Sequence, residues 1–209
     1  MIFKKFNPIA KKAKFNSAHY WDTRYANGGN SGAGSYGRLA EFKASVLNQM
    51  IRQQDIKSVI ELGFGDGNQL TMSNYPEYTG FDISPQAVAL CRERFADDKT
   101  KRFFHMDMLG EARAELVLSL DVIFHLVEDE VYEHYMEQLV AATSRFLAIY
   151  SSNYHGKAEV EHVRHRKFTK WISRNAKELS LFQKIENPYP YNSFDAKNTS
   201  FSHFWIFQK

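Results

Sequence analysis

The stretch Glu61-Leu62-Gly63-Phe64-Gly65-Asp66-Gly67 constrains this chain more than any other. It follows the apolar run Ser58-Val59-Ile60, and Asp82 stands fifteen positions beyond Gly67. An apolar run, a glycine turn, a short helical stretch, a second apolar run and a carboxylate form a strand–turn–helix–strand unit of a doubly wound parallel sheet. The glycines let the backbone approach a ligand that a Cβ would keep away. An Asp at the tip of the second strand can accept both hydroxyls of a ribose. The unit therefore predicts a nucleotide-type site at the carboxyl edge of a parallel sheet.

The spelling of the turn narrows the ligand. A dinucleotide fingerprint reads Gly-x-Gly-x-x-Gly, its third glycine serving tight helix packing. Here Asn68 occupies that third place, and the spacing is Gly63-x-Gly65-x-Gly67. Glu61 sits two residues before the first glycine, where a negative charge repels a pyrophosphate but can hold an ammonium through an ordered water. On these residues the run resembles motif I of the class I S-adenosylmethionine-dependent methyltransferases. Binding of NAD or another nucleotide is the alternative.

A chain of 209 residues fits one α/β domain with a sizeable core. Its 44% hydrophobic and 24% charged residues are those of a globular protein. A net charge of +3 is too mild to argue for nucleic acid. The single Cys91 excludes an internal disulfide and a cysteine-built zinc site, and fits a reducing, cytoplasmic setting. No apolar run approaches the ~20 residues of a membrane span. Residues 1–16 carry Lys4, Lys5, Lys11, Lys12 and Lys14 beside Ile2, Phe3, Phe6 and Ile9, without the unbroken apolar core of a signal peptide. This arm either lies on the domain with its lysines solvated or touches a membrane surface.

Residues 26–37 are glycine-rich and read as a flexible loop. A helix is expected over 38–54, with Leu39, Phe42, Val46 and Met50 on one face and Leu47 and Ile51 beside them. Strands are expected over 57–62, 78–81, 102–106, 116–120 and 145–150. A short helix follows the glycine turn over 68–73. Ser84-Pro85 reads as an N-cap and first helical residue, after which Val88, Cys91 and Phe95 share a face. A further helix spans 128–142, with Val131, Tyr135 and Leu139 inward. A helix near 168–179 precedes late strands at 181–185 and 201–207. These two have no helix between them and can pair antiparallel. The fold class is thus α/β: a seven-stranded, mostly parallel Rossmann-like sheet with an antiparallel C-terminal pair and helices on both faces. Residues 1–37 divide off as an arm, cofactor cap and glycine-rich lid, and 38–209 form the domain.

Glu61, Asp82, Asp107 and Asp121 all fall at or just beyond strand tips, which face one crevice in an open parallel sheet. The resemblance implies roles for them. Gly63, Gly65 and Gly67 would pass beneath the methionine and sugar, Asp82 would take the ribose hydroxyls, and Ile83 would pack on the adenine. Asp107 would accept from the adenine amino group, with Met108 beside it through its backbone. Leu118-Ser119-Leu120-Asp121-Val122-Ile123-Phe124-His125-Leu126 looks like motif IV and its continuation, with backbone at Leu120 facing the methionine and Asp121 onward facing the acceptor. Tyr20-Trp21-Asp22-Thr23-Arg24-Tyr25 resembles an N-terminal cap. Trp21 or Tyr20 would cover the sulfonium by cation–π attraction, and Arg24 would pair with the methionine carboxylate. Simple anchoring of the arm by Trp21 is the alternative.

Methyl transfer from a sulfonium needs alignment and exclusion of water, and for a hydroxyl acceptor also a base. His125 and His155 are the candidate bases, with Asp121 between sheet and acceptor; a satisfied structural histidine is the competing reading for each. Arg164, Arg166 and Lys167, with His162 and His165, form a basic cluster suited either to an acidic acceptor group or to a solvated helix entrance. No firm metal pattern is present, and no metal is expected. The chain also resembles bacterial methyltransferases found with surface-polysaccharide enzymes. The expected function is methyl transfer from S-adenosylmethionine to a sugar or glycan hydroxyl, by a monomer or homodimer. Another small metabolite or an amine is the alternative acceptor, and a non-catalytic cofactor-binding module the alternative of another class. Nucleic acid is not expected as a partner.

Overall fold

A computed structural model describes residues 15–157 and 160–209. The lysine-rich part of the N-terminal arm lies outside the described residues. Five helices, α1 (Ser17–Ala26), α2 (Gly37–Gln54), α3 (Pro85–Arg94), α4 (Asp129–Ala142) and α5 (Phe168–Asn175), accompany nine strands among them. The strands are β1 (Ser58–Leu62), β2 (Glu77–Asp82), β3 (Lys101–His105), β4 (Ala114–Leu120), β5 (Thr143–Ser151), β6 (Gly156–Lys157), β7 (Arg164–His165), β8 (Ser180–Ile185) and β9 (His203–Gln208). Seven form one sheet in the order β3-β2-β1-β4-β5-β9-β8, and β6 and β7 make a separate two-stranded ribbon.

The five strands β1 to β5 run parallel, with Glu61 opposite Gly80 on β2 and Leu118 on β4. β9 pairs antiparallel with β5, and β8 antiparallel with β9. The sequence led to this α/β sheet with its antiparallel C-terminal pair. Chain order reverses between β1 and β4, which opens a crevice beyond their carboxyl ends.

Central strands are mostly apolar because helices cover both faces, with Glu61 a buried exception near the end of β1. On one face Val59, Leu116, Leu118, Phe146, Ala148 and Tyr150 pack with Leu47, Met50 and Ile51 of α2 and Val88 and Cys91 of α3. On the other, Ile60, Leu62, Val117, Leu147 and Ile149 meet Tyr132, Tyr135, Met136 and Leu139 of α4 and Phe168 and Ile172 of α5. The caps follow local chemistry. Asn16 Oδ1 accepts from His19 N at 2.7 Å to start α1, and Ser84 Oγ from Ala87 N at 3.3 Å to start α3.

Several expected boundaries and faces shift. The stretch after the glycine turn is a 3-10 turn, Gln69–Met72, too short for an α-helix. α5 stops at Asn175, and β9 starts at His203 because Phe201 and Ser202 belong to the loop that meets the crevice. Val131 is 43% exposed rather than inward; the buried stripe of α4 is Tyr132, Tyr135, Met136 and Leu139, at helical spacing. α1 and the β6–β7 ribbon add to the expected elements.

Candidate functional site

A cavity of about 560 Å³ opens at the reversal of strand order, within the range that holds a cofactor-sized ligand. Glu61, Gly63, Phe64, Gly65, Asp82, Ile83, Asp107, Leu120, Asp121, Val122 and His125 line it, with Trp21, Tyr25 and Ser31 from the N-terminal segment. All four strand-tip carboxylates therefore reach one space.

Glu61 is buried, and Tyr78 Oη donates to its Oε2 at 2.8 Å. Burial lifts its pKa to about 7, against the Tyr78 hydrogen bond and the Lys43 charge, which both lower it. Asp82 is also buried and pushed upward by desolvation, while its oxygens accept from Gly65 N and Ser84 N, each at 2.9 Å. It thereby ties the glycine turn to the start of α3. All three turn glycines have positive φ: Gly63 83°, Gly65 63° and Gly67 73°. A Cβ on Gly63 would stand 2.7 Å from Val122 Cγ2, and on Gly65 only 2.2 Å from Ser31 Oγ. The turn is thus sealed by side chains from β4's end and from the glycine-rich loop. Such a close-fitting cradle with buried carboxylates and an apolar floor suits a cationic nucleoside ligand.

The glycine-rich loop is fastened over this turn. Ser31 N and Tyr36 Oη donate to Asp66 Oδ2 at 2.9 and 2.7 Å, and Asp66 N donates to Ser31 Oγ at 2.8 Å. Tyr25 Oη and Ser31 Oγ lie 3.1 Å apart. Asn68 Nδ2 adds a bond to Ser35 O at 2.7 Å.

The cap residues separate. Trp21 reaches the cavity, edge-on to His125 with ring centres 4.8 Å apart. Tyr20 stacks on His162 instead, at 4.7 Å. Arg24 lies outside the cavity wall; its Nε donates to Asn30 O at 2.6 Å and its guanidinium sits 5.5 Å from the Trp21 ring. Met108 is 67% exposed and its side chain stays outside the wall. Asp107 lines the cavity rim with an exposed carboxylate 3.2 Å from His105 Nδ1.

His125 is half-buried among Trp21, Phe124 and His162. Its Nδ1 donates to His162 O at 2.9 Å, which leaves Nε2 with its lone pair. Desolvation pulls its pKa down to about 4, so the ring is neutral near pH 7. His155 is exposed and outside the cavity wall. The two arginines of the basic cluster are engaged within the fold while Lys167 is exposed: Arg166 donates to Leu126 O, Val127 O and Asp129 Oδ1, and Arg164 to Val127 O and Asp129. His165 is buried, with Nδ1 2.8 Å from Ser152 Oγ. Among the described residues, no three His, Cys, Asp or Glu side chains converge as a metal site. No helix there is long and apolar enough to cross a membrane.

Sequence reasoning missed Lys43 and Ser202. Lys43 Nζ lies 2.8 Å from Asp121 Oδ2, and Ser202 Oγ donates to Asp121 Oδ1 at 2.9 Å. The signal for Lys43 was present: it lies four residues from both Leu39 and Leu47 on the buried stripe of α2. Ser202 had none, since its loop is long and irregular.

Residues 60–149 match the family model described as a methyltransferase domain. EEF1A lysine methyltransferase 4 of Mus musculus is 28% identical over 102 residues, covering 47% of this chain and 39% of that protein. The likeness thus spans well under half of the mouse protein. The structure of N-methyltransferase NodS from Bradyrhizobium japonicum WM9, solved with S-adenosyl-l-homocysteine, superposes with a TM-score of 0.71 at 13% identity, covering 93% of this chain and 99% of that one. Magnesium protoporphyrin IX methyltransferase from Synechocystis PCC 6803 gives 0.66 at 13% identity, covering 92% and 97%. At such identities these two establish the shared fold.

Proposed function

We propose that this chain, which carries a class I S-adenosylmethionine-dependent methyltransferase domain, transfers the methyl group of that cofactor to a hydroxyl of a sugar or glycan. The observation that carries the reading is the convergence of Glu61, Asp82 and the positive-φ Gly63 and Gly65 on one cavity, while Gly67 packs outside its wall against Cys91 and Phe95. When bound, the cofactor supplies a methyl group already activated on a sulfonium. The protein's part is to hold, align and exclude water.

Asp82 keeps lone pairs for ribose hydroxyls beyond those given to Gly65 N and Ser84 N. Glu61 offers its second oxygen to an ammonium. Ile83 gives the adenine an apolar face. Trp21 and the loop fastened to Asp66 close the crevice from above. Both oxygens of Asp121 are engaged by Lys43 and Ser202, which favours His125 Nε2 over Asp121 as the proton acceptor. A weakly basic imidazole suffices if the proton leaves late, when the new bond to carbon has made the hydroxyl strongly acidic.

The preference for a sugar rests on rings beside this end of the crevice. Tyr154 and Tyr191 are exposed, and Phe201 lies 4.6 Å from His165 and 5.8 Å from Tyr191, ring centre to ring centre. Phe201 immediately precedes Ser202, the hydroxyl that holds Asp121. Flat rings with polar tips suit the apolar face and hydroxyl edge of a saccharide. An amine acceptor is the second reading, favoured by the name of the mouse relative as a lysine methyltransferase.

Calorimetric titration with S-adenosylhomocysteine and with NAD, repeated with Asp82→Ala, tests the cofactor. Micromolar S-adenosylhomocysteine binding lost in the variant supports it, and NAD binding overturns it. Mass spectrometry of a saccharide, sugar-nucleotide and amine panel then tests the acceptor. Methylated amines alone would sink the sugar reading. Tight cofactor binding with no turnover on any acceptor would favour a binding module.

A further inference from the structure

Lys43 is the most completely enclosed charge in the site, with 0% of its surface exposed, and the chemistry above uses it only to engage Asp121. Its ammonium lies 2.8 Å from Asp121 Oδ2 and 5.3 Å from the Tyr150 ring centre, and its field reaches Glu61. Asp121 is held from every side. Ser202 donates to Oδ1 at 2.9 Å, and the Asp121 amide donates to Tyr150 O at 2.8 Å. Gly34 of the glycine-rich loop passes so near that a Cβ there would stand 2.7 Å from Oδ2. Asp121 also has φ 59°, a conformation that persists only where the surroundings over-determine it. A buried ion pair is poor stabilisation, because two apolar side chains serve a core as well or better. Both partners line the cavity, alongside the carboxylates of Glu61 and Asp82. The pair therefore answers to the ligand more than to the core.

Resting on the methyl-transfer reading, we propose that Lys43 is a positioning residue that balances the charge of Asp121 at the acceptor end of the crevice, so that the site does not favour the charged donor over its neutral product. In the transfer, the carbon–sulfur bond breaks and its electron pair stays on sulfur. The acceptor oxygen forms the new bond to carbon, and its proton passes to the base. The positive charge thus leaves sulfur and, with the proton, ends on the base. An uncompensated carboxylate nearby would hold the charged donor more tightly than the neutral product. Lys43 cancels that bias while Asp121 still fastens β4, α2 and the loop before β9.

The test compares S-adenosylmethionine with S-adenosylhomocysteine, which differ by one methyl group and one positive charge. Calorimetry on the full chain measures both affinities for wild type, Lys43→Met, Asp121→Asn and the double variant. One unit charge at roughly 10 Å, with an effective dielectric of about 20, changes affinity on the order of tenfold. Lys43→Met is expected to move the donor-to-product affinity ratio toward the donor by about that factor. Asp121→Asn is expected to move it the opposite way, and the double variant to return it to within about twofold of wild type. A lysine with a purely structural role would lower both affinities together and leave the ratio unmoved. Unmoved ratios in the single variants, or a double variant that fails to restore the ratio, overturn the proposal. Should Lys43→Met not fold, Asp121→Asn and the double variant, which has no uncompensated buried charge, still decide it. Wild type that binds neither ligand defeats the methyl-transfer reading and this inference with it; wild-type binding with unmoved ratios defeats the role of Lys43 alone.

Discussion

Glu61→Gln turns the burial of one carboxylate into a measurable pH dependence. Burial raises Glu61 from 4.5 to about 7 in the native chain. That shift of roughly 2.5 units corresponds to about 3 kcal/mol at about 1.4 kcal/mol per unit. The native state holds this proton up to about pH 7, whereas the unfolded chain releases it near pH 4.5. Stability from this group is therefore greatest below the lower value and declines as pH rises through the window between them. Glutamine is neutral throughout and can still accept from Tyr78 Oη. The variant should match wild type near pH 4.5 and exceed it by up to about 3 kcal/mol at pH 8. Urea unfolding followed by tryptophan fluorescence, without ligand, at pH 5, 6, 7 and 8 measures the difference between the two proteins, in which other titrating groups cancel. A difference that does not grow with pH would mean that Glu61 is ionised and hydrated in the native state, refuting the argument from burial. The same variant should bind S-adenosylhomocysteine more weakly, since an amide holds an ammonium less well than a carboxylate does.

Gly65→Ala places a methyl group 2.2 Å from Ser31 Oγ at φ 63°. The left-handed backbone alone costs roughly 1–2 kcal/mol, and the loop over the turn must shift. Faster proteolysis within residues 28–36 and loss of about tenfold or more in S-adenosylhomocysteine affinity are expected, and unchanged cleavage would contradict the contact. Arg166→Ala removes both guanidinium bonds to Leu126 O and leaves Val127 O to Arg164 alone. It should lower stability by about 1–3 kcal/mol in urea unfolding, and a midpoint equal to wild type would show water replacing the guanidinium. Cys91 is fully buried and its thiol is pushed up by desolvation. A disulfide reagent should therefore label it only at the rate of global opening, and rapid labelling of the native chain would refute this.

Local patterns carried much of this protein. Three apolar runs ending in Glu61, Asp82 and Asp121, with a glycine turn after the first, specified parallel strands because strands covered on both faces are near-continuously apolar. Ser84-Pro85 marked a helix start because capping is chemistry between neighbours. α1 was not legible: Ser17–Ala26 has little apolar periodicity and is held by Asn16, by Glu128 Oε1 accepting from Ser17 N at 2.8 Å, and by packing against α3. Lys43 was passed over because a lysine normally faces water. Here its carboxylate partner comes from a residue 78 positions away. The arginines at 164 and 166 suited either an acidic acceptor group or a solvated helix entrance, yet the fold engages them with the carbonyls of Leu126 and Val127 and with Asp129. The sequence by itself determined the strand order's working edge and the types of group that meet there, since both follow from spacing along the chain. Only the tertiary structure decided which charges are paired and which remain for a ligand, because burial and partners separated by 37 to 111 residues set that balance and no local pattern encodes them.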